Sequence, residues 1–183
     1  MEASIFEFLN QDLANPFFDA VLPVYRDKIT WIPLYVLVTY LIWNRYGWRR
    51  TLYLLLCIGT VIAVADQIAA SLLKPWVGRP RPCATEALQE HVRILVSCGG
   101  KFGFPSNHAT NHFAVATVLC LTVVRRRYLR VVWVLWALTI SLAQVYVGKH
   151  FPADILAGAL LGCGVAILGV LGYRYAAGEE AIT

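Results

Sequence analysis

Phe104-Pro105-Ser106-Asn107-His108-Ala109-Thr110 is where a glycine-rich loop passes into a long apolar run. Proline followed by a small polar residue signals a helix start, with Ser106 predicted as its N-cap. The first turn of such a helix offers unpaired N–H groups and a positive dipole end, both favouring an anion. His108, one turn in, is placed to give or take a proton beside that anion. Residues 74–82 and 144–154 also hold polar clusters at the ends of apolar runs.

Working outward, the composition sets the class. Of 183 residues 58% are hydrophobic and 15% charged, with mean hydropathy +0.60. Charged residues make up about a quarter of an ordinary soluble domain. Such long apolar runs in one domain's worth of chain predict an all-α fold, a polytopic transmembrane helical bundle. The formal net charge of +5 comes from basic residues clustered between the runs. That placement suits membrane orientation and anionic head groups, and argues against a nucleic-acid partner.

The predicted spans cover residues 29–43, 51–73, 106–124, 129–147 and 152–175. As one membrane domain over 1–183, the chain divides into an interfacial helix (1–28), spans one and two (29–72), an outer loop (73–105) and spans three to five (106–176). Residues 3–22 alternate Phe and Leu with acids and amides, predicting an amphipathic helix at the interface, broken near Asn15-Pro16. No chemistry is expected from that segment. The outer loop admits a short helix over 84–95. Gly158, Gly162 and Ala166 form a small-residue stripe that lets helices pack closely.

Five spans bring the end of the second, the start of the third, the end of the fourth and the start of the fifth to one face. Three clusters distant in sequence therefore converge. The two short opposite loops carry Arg45, Arg49, Arg50, Arg125, Arg126, Arg127 and Arg130. Short basic loops stay cytoplasmic, so the clustered face is expected outside, in the periplasm of a bacterial inner membrane. Cys83 and Cys98 both lie in the outer loop; an oxidising compartment permits a bridge, and two free thiols fit the sequence equally.

Lys74, six residues, then Arg81-Pro82, followed by Pro105-Ser106-Asn107-His108 and His150-Phe-Pro-Ala-Asp154, resembles the three-part signature of the type 2 phosphatidic acid phosphatase superfamily. The resemblance implies a metal-independent lipid phosphatase that needs no cofactor and no obligate protein partner. His150 would attack phosphorus and carry a covalent phosphoryl group, oriented by Asp154. His108 would protonate the leaving alkoxide and then activate water. Lys74, Arg81, Ser106 and Asn107 would hold the phosphoryl oxygens, with Arg79 as a further clamp. The family's third motif opens Ser-Arg, where this chain has Ala143-Gln144; its second usually has Gly where Asn107 stands. Gln144 donates hydrogen bonds without charge, leaving Arg79 or Lys149 to compensate.

The implied substrate is an amphiphile in the bilayer. Undecaprenyl pyrophosphate is the first expectation, with lipid A, phosphatidylglycerol phosphate and phosphatidic acid as alternatives. Two other classes of function fit some of the same residues. His108, His112, His150, Asp154 and Asp66 suggest a divalent-metal transporter, opposed by the repulsion of Lys74, Arg79 and Arg81. Gln144 in place of an arginine suggests a lipid-binding pseudoenzyme.

Overall fold

Each apolar run becomes a helix that stops where proline, glycine or paired charges intervene. The structure, a computed structural model, describes residues 2–88 and 91–176. In chain order the helices are α1 (Glu2–Glu7), α2 (Pro16–Tyr25), α3 (Ile32–Tyr46), α4 (Trp48–Gln67), α5 (Lys74–Val77), α6 (Asn107–Thr122), α7 (Arg127–Tyr146) and α8 (Pro152–Ala176). A π-helical stretch, Ile68–Leu73, joins α4 to α5, so that 30 residues run without a break. The chain is an integral membrane protein built as a transmembrane helical bundle.

Three segments are long and apolar enough to cross a membrane: Trp48–Val77, Arg127–Tyr146 and Pro152–Tyr175. The other two expected spans form helices of fewer than 18 residues. α3 has the 15 residues expected of the first span but starts at Ile32, because a 3₁₀ turn, Lys28–Trp31, precedes it. α6 has 16 residues and lies against α4, α7 and α8, where protein rather than lipid surrounds it. Leu56, Leu160, Leu168 and Leu171 point outward, as a lipid-facing surface requires.

Hydrocarbon gives no hydrophobic drive between helices, so α6 and α8 meet through close backbone packing. A Cβ added at Gly158 would lie 2.5 Å from the Ser106 carbonyl oxygen, and one at Gly162 would strike that of Thr110. The small-residue stripe is therefore the seam that fixes α6 against α8.

The N-terminal segment breaks where the sequence predicts. Asn15 Oδ1 accepts from the Phe18 amide at 3.0 Å and caps α2. The segment is sewn to the bundle by Asn10, which is fully buried. Its Nδ2 donates to the carbonyls of Arg93 (2.9 Å) and Tyr146 (2.7 Å), and its Oδ1 accepts from the Arg93 amide.

The outer loop differs from expectation. Instead of a helix over 84–95, the described residues form two single 3₁₀ turns, Pro82–Ala84 and Glu86–Leu88; Gln89 and Glu90 lie outside the described residues. Isolated helical turns are marginal in water, and here a covalent constraint replaces them. Cys83 and Cys98 are bridged, closing a separation of 15 residues. A loop of that size is stabilised by roughly 3 kcal/mol on chain-entropy grounds. Pro80 and Phe102 then pair as an antiparallel bridge, with Arg81 N donating to Lys101 O (3.1 Å) and Gly103 N to Arg79 O (2.9 Å). That pairing carries Arg79 and Arg81 to the start of α6.

Candidate active site

Three backbone features assemble the site. The Ser106 amide donates to the Asp154 carbonyl at 2.9 Å, tying the start of α6 to the first turn of α8. Pro152 occupies the first helical position of α8, where its missing N–H costs nothing. Gly148 turns the chain out of α7 at φ +79°, where a Cβ would lie 2.5 Å from the Arg93 carbonyl oxygen. Only glycine takes that conformation without strain.

His150 is 2% exposed and Asp154 fully buried. The His150 Nδ1 stands 3.3 Å from Asp154 Oδ2, which also accepts from the Phe151 amide at 3.0 Å. Arg81 Nη1 lies 2.8 Å from His150 Nε2. Because arginine only donates, Nε2 accepts, and the proton sits on Nδ1 facing the carboxylate. Burial pushes His150 down to about 4 despite the hydrogen bond to Asp154, so the imidazole is neutral at neutral pH.

Lys74 Nζ donates to the Pro105 carbonyl at 2.6 Å. Arg79 spends its guanidinium on acids: Nη1 reaches Asp154 Oδ1 (3.2 Å) and Nη2 reaches Glu2 Oε2 (2.8 Å). It also lies over the Phe151 ring, 4.4 Å from the centroid. Glu2 Oε1 accepts from the Ala153 amide at 3.0 Å. The segment expected to carry no chemistry thus sends a carboxylate to the rim of the site.

Asn107 spends its side-chain amide on Asp66, donating to Oδ1 at 2.7 Å, as does Asn111 at 3.1 Å. Asp66 is therefore an interhelical brace on the first turn of α6. His112 Nδ1 bonds the His108 carbonyl at 2.7 Å, and its ring packs on Trp136 with centroids 5.0 Å apart. Among the described residues no three His, Cys, Asp or Glu side chains stand close enough to hold a metal ion.

Ser106 occupies the N-cap position of α6, but its hydroxyl makes no capping bond. Its carbonyl accepts the first helical bond, from the Thr110 amide at 2.9 Å. Among the described residues, neither Ser106 Oγ nor Gln144 Nε2 has a partner, and both are buried. Buried orphan donors are costly, at about 1–3 kcal/mol each, unless a ligand satisfies them. Gln144 Oε1 accepts from Arg26 Nε at 3.0 Å, a residue that sequence reasoning passed over. Lys149 is held down to about 8, by burial first and then by Arg26 and Arg81. Several cations therefore crowd one buried spot.

A cavity of about 620 Å³ leads from Arg26, Asn107 and His108 into the bundle, with Ile58, Val115 and Leu119 deeper along it. Its polar end and apolar shaft suit a molecule with a charged head and a hydrocarbon body.

A membrane protein with a histidine–carboxylate pair beside a cationic cradle is the class that fold and site define, and comparison with known proteins gives the family. The PAP2 superfamily profile matches residues 50–177, and the chain belongs to that family. It is 37% identical over 150 residues to a lipid A 4'-phosphatase of Bacteroides thetaiotaomicron, across 81% of this chain and 66% of that protein. It is 26% identical over 163 residues to a lipid A 4'-phosphatase of Porphyromonas gingivalis, across 88% and 68%. The chain thus spans about two thirds of the length of these relatives. The crystal structure of a PAP2-type phosphatidylglycerolphosphate phosphatase from Bacillus subtilis superposes with TM-score 0.70 at 21% identity, covering 100% of this chain and 87% of that one.

Proposed function

We propose that this protein is a metal-independent phosphatase of a membrane lipid, working through a covalent phosphohistidine. The observation that carries the reading is His150, neutral and oriented by Asp154, beside buried donors that lack partners. His150 Nε2 attacks phosphorus; an N–P bond forms as the P–O bond to the lipid breaks. His108 gives its proton to the departing alkoxide, then takes one from the water that releases inorganic phosphate. Lys74, Arg81, Ser106 and Gln144 hold the phosphoryl oxygens, whereas Arg79 positions Asp154. Asn107 acts through its backbone at the start of α6.

A lipid A phosphate becomes the first substrate to test, supported by the two relatives. Undecaprenyl pyrophosphate, favoured from the outward-facing site, comes second. The Cys83–Cys98 bridge and the arginine-rich short loops opposite support a periplasm-facing site in a bacterial inner membrane. The reading of 1–28 as an interfacial segment is supported by the exposed Phe8 and Phe17.

The test is phosphate release by detergent-solubilised protein from lipid A, undecaprenyl pyrophosphate, phosphatidylglycerol phosphate and phosphatidic acid. Release from lipid A, blocked by orthovanadate and indifferent to chelator, is expected. Loss of release with chelator would point to the metal reading. Absence of release from every lipid would point to the pseudoenzyme.

Lys149 gives the site an alkaline limit. A lysine held to about 8 loses its charge as pH rises through 8, whereas His150 stays neutral down to about 4. The expected kcat/KM falls above about pH 8 through a rising KM. Lys149→Arg should move that fall to higher pH, and an unmoved limb would assign it to Lys74, the other lysine at the cradle.

A further inference from the structure

Arg26 lies just past α2 and outside the residues matched by the family profile. It is nevertheless buried, at 8% exposure. Its Nε donates to Gln144 Oε1 at 3.0 Å, and among the described residues no carboxylate pairs with it. The adjacent Asp27 offsets part of the cost of burying it, but its carboxylate bonds the Ile29 amide at 2.9 Å rather than the guanidinium. Arg26 shares the mouth of the cavity with His108, and its charge reaches Lys149 and Arg81. Burial is the larger influence on both of those cations; Asp154 opposes it at Arg81, and Arg26 adds to it.

A buried guanidinium resting on a neutral amide, among other cations, is an unfavourable arrangement for a protein alone. An anion that accepts from its terminal nitrogens would relieve it. The partner-free Gln144 Nε2 is a second unused donor on the same residue that holds Arg26. We propose that Arg26 is a phosphoryl-binding residue, carried to the site by the N-terminal segment, and that Gln144 is the residue that positions it. The charge missing from position 144 thus arrives from a different part of the chain. Arg79, committed to Glu2 and Asp154, does not supply it.

The inference rests on the phosphatase reading, so the experiment separates the two. Orthovanadate binding to the full detergent-solubilised chain is measured by its effect on intrinsic fluorescence, alongside phosphate release from lipid A. Arg26→Ala should weaken vanadate binding about ten- to hundredfold, the usual range for a lost charge-assisted hydrogen bond. KM should rise more than kcat falls. Arg26→Gln, which keeps volume and polarity without charge, should behave alike and retain the wild-type melting temperature. Arg26→Ala combined with Gln144→Arg should recover most of the binding, because the cation returns from α7. A merely structural Arg26 would give Arg26→Gln protein that binds vanadate as wild type does, and that result overturns the proposal. If wild type turns over lipid A while Arg26→Gln is unchanged, only Arg26 is lost from the mechanism. If wild type neither binds vanadate nor releases phosphate, the phosphatase reading falls, and this inference with it.

Discussion

Replacing His150 with alanine is expected to lower phosphate release by at least about 10⁴-fold, because the group that forms the bond to phosphorus is gone. The imidazole is almost wholly enclosed, its Nδ1 committed to Asp154 and its Nε2 lying against Arg81. In the free enzyme an Arg81 N–H occupies the Nε2 lone pair. A phosphoryl group entering the cradle offers that N–H a stronger, charged acceptor and uncovers the lone pair for attack. Asp154→Asn keeps the shape but removes the carboxylate that fixes the tautomer, and a loss of about 10²–10⁴-fold is expected.

Rapid quenching checks the intermediate directly. Labelled phosphate should remain on wild-type protein in alkali and leave in acid, as a phosphoramidate does. His108→Ala should slow both the appearance of that label and its loss, because the residue serves as acid in the first step and base in the second. Label that persists in His150→Ala protein would place the nucleophile elsewhere.

Gly162→Val is expected to have the largest structural effect, lowering the thermal midpoint of solubilised protein by about 10 °C or more. A side chain there meets the backbone of Thr110 and the Ala114 amide, groups that cannot rotate aside. Overpacking ordinarily costs about 1–3 kcal/mol, and backbone overlap in a helix seam lies at or beyond the top of that range. For a domain of this size each kcal/mol moves the midpoint by roughly 2–4 °C. Gly164→Val is the matched control: it lies on the same helix, and nothing stands within 4 Å of its added Cβ. Unfolding followed by tryptophan fluorescence should separate the two. Equal midpoints would mean that the seam between α6 and α8 is looser than these contacts require.

What could be read from the chain follows from how local each signal is. Helix ends are written locally, in Pro152 opening α8 and in Asn15-Pro16 breaking the N-terminal segment. Once the ends were known, alternation of direction brought the clusters at 74–82, 106–108 and 150–154 together. The contacts of Lys74 with Pro105 and of Arg81 with His150 agree with that. Side-chain partners were less legible. Ser106 was placed correctly at the helix start, yet its hydroxyl leaves the capping bond unmade. Arg79 offered a cation at the right distance in sequence, but Glu2 and Asp154 compete for it. Arg26 could not be found from motif spacing, because it comes from a segment separated from Gln144 by 118 residues. The available signal was composition: Arg26-Asp27-Lys28 is a charged triplet at the mouth of an apolar span.

The covalent staple between positions 83 and 98 has a practical corollary for handling the protein. Arg81, two residues from one half-cystine, owes its placement to a loop with little regular structure, so thiol reductants in a purification buffer would slacken the grip on the phosphoryl oxygens while leaving the helices intact. Enzyme prepared with dithiothreitol should show normal helicity and a raised KM, a state easily mistaken for an intrinsically poor catalyst.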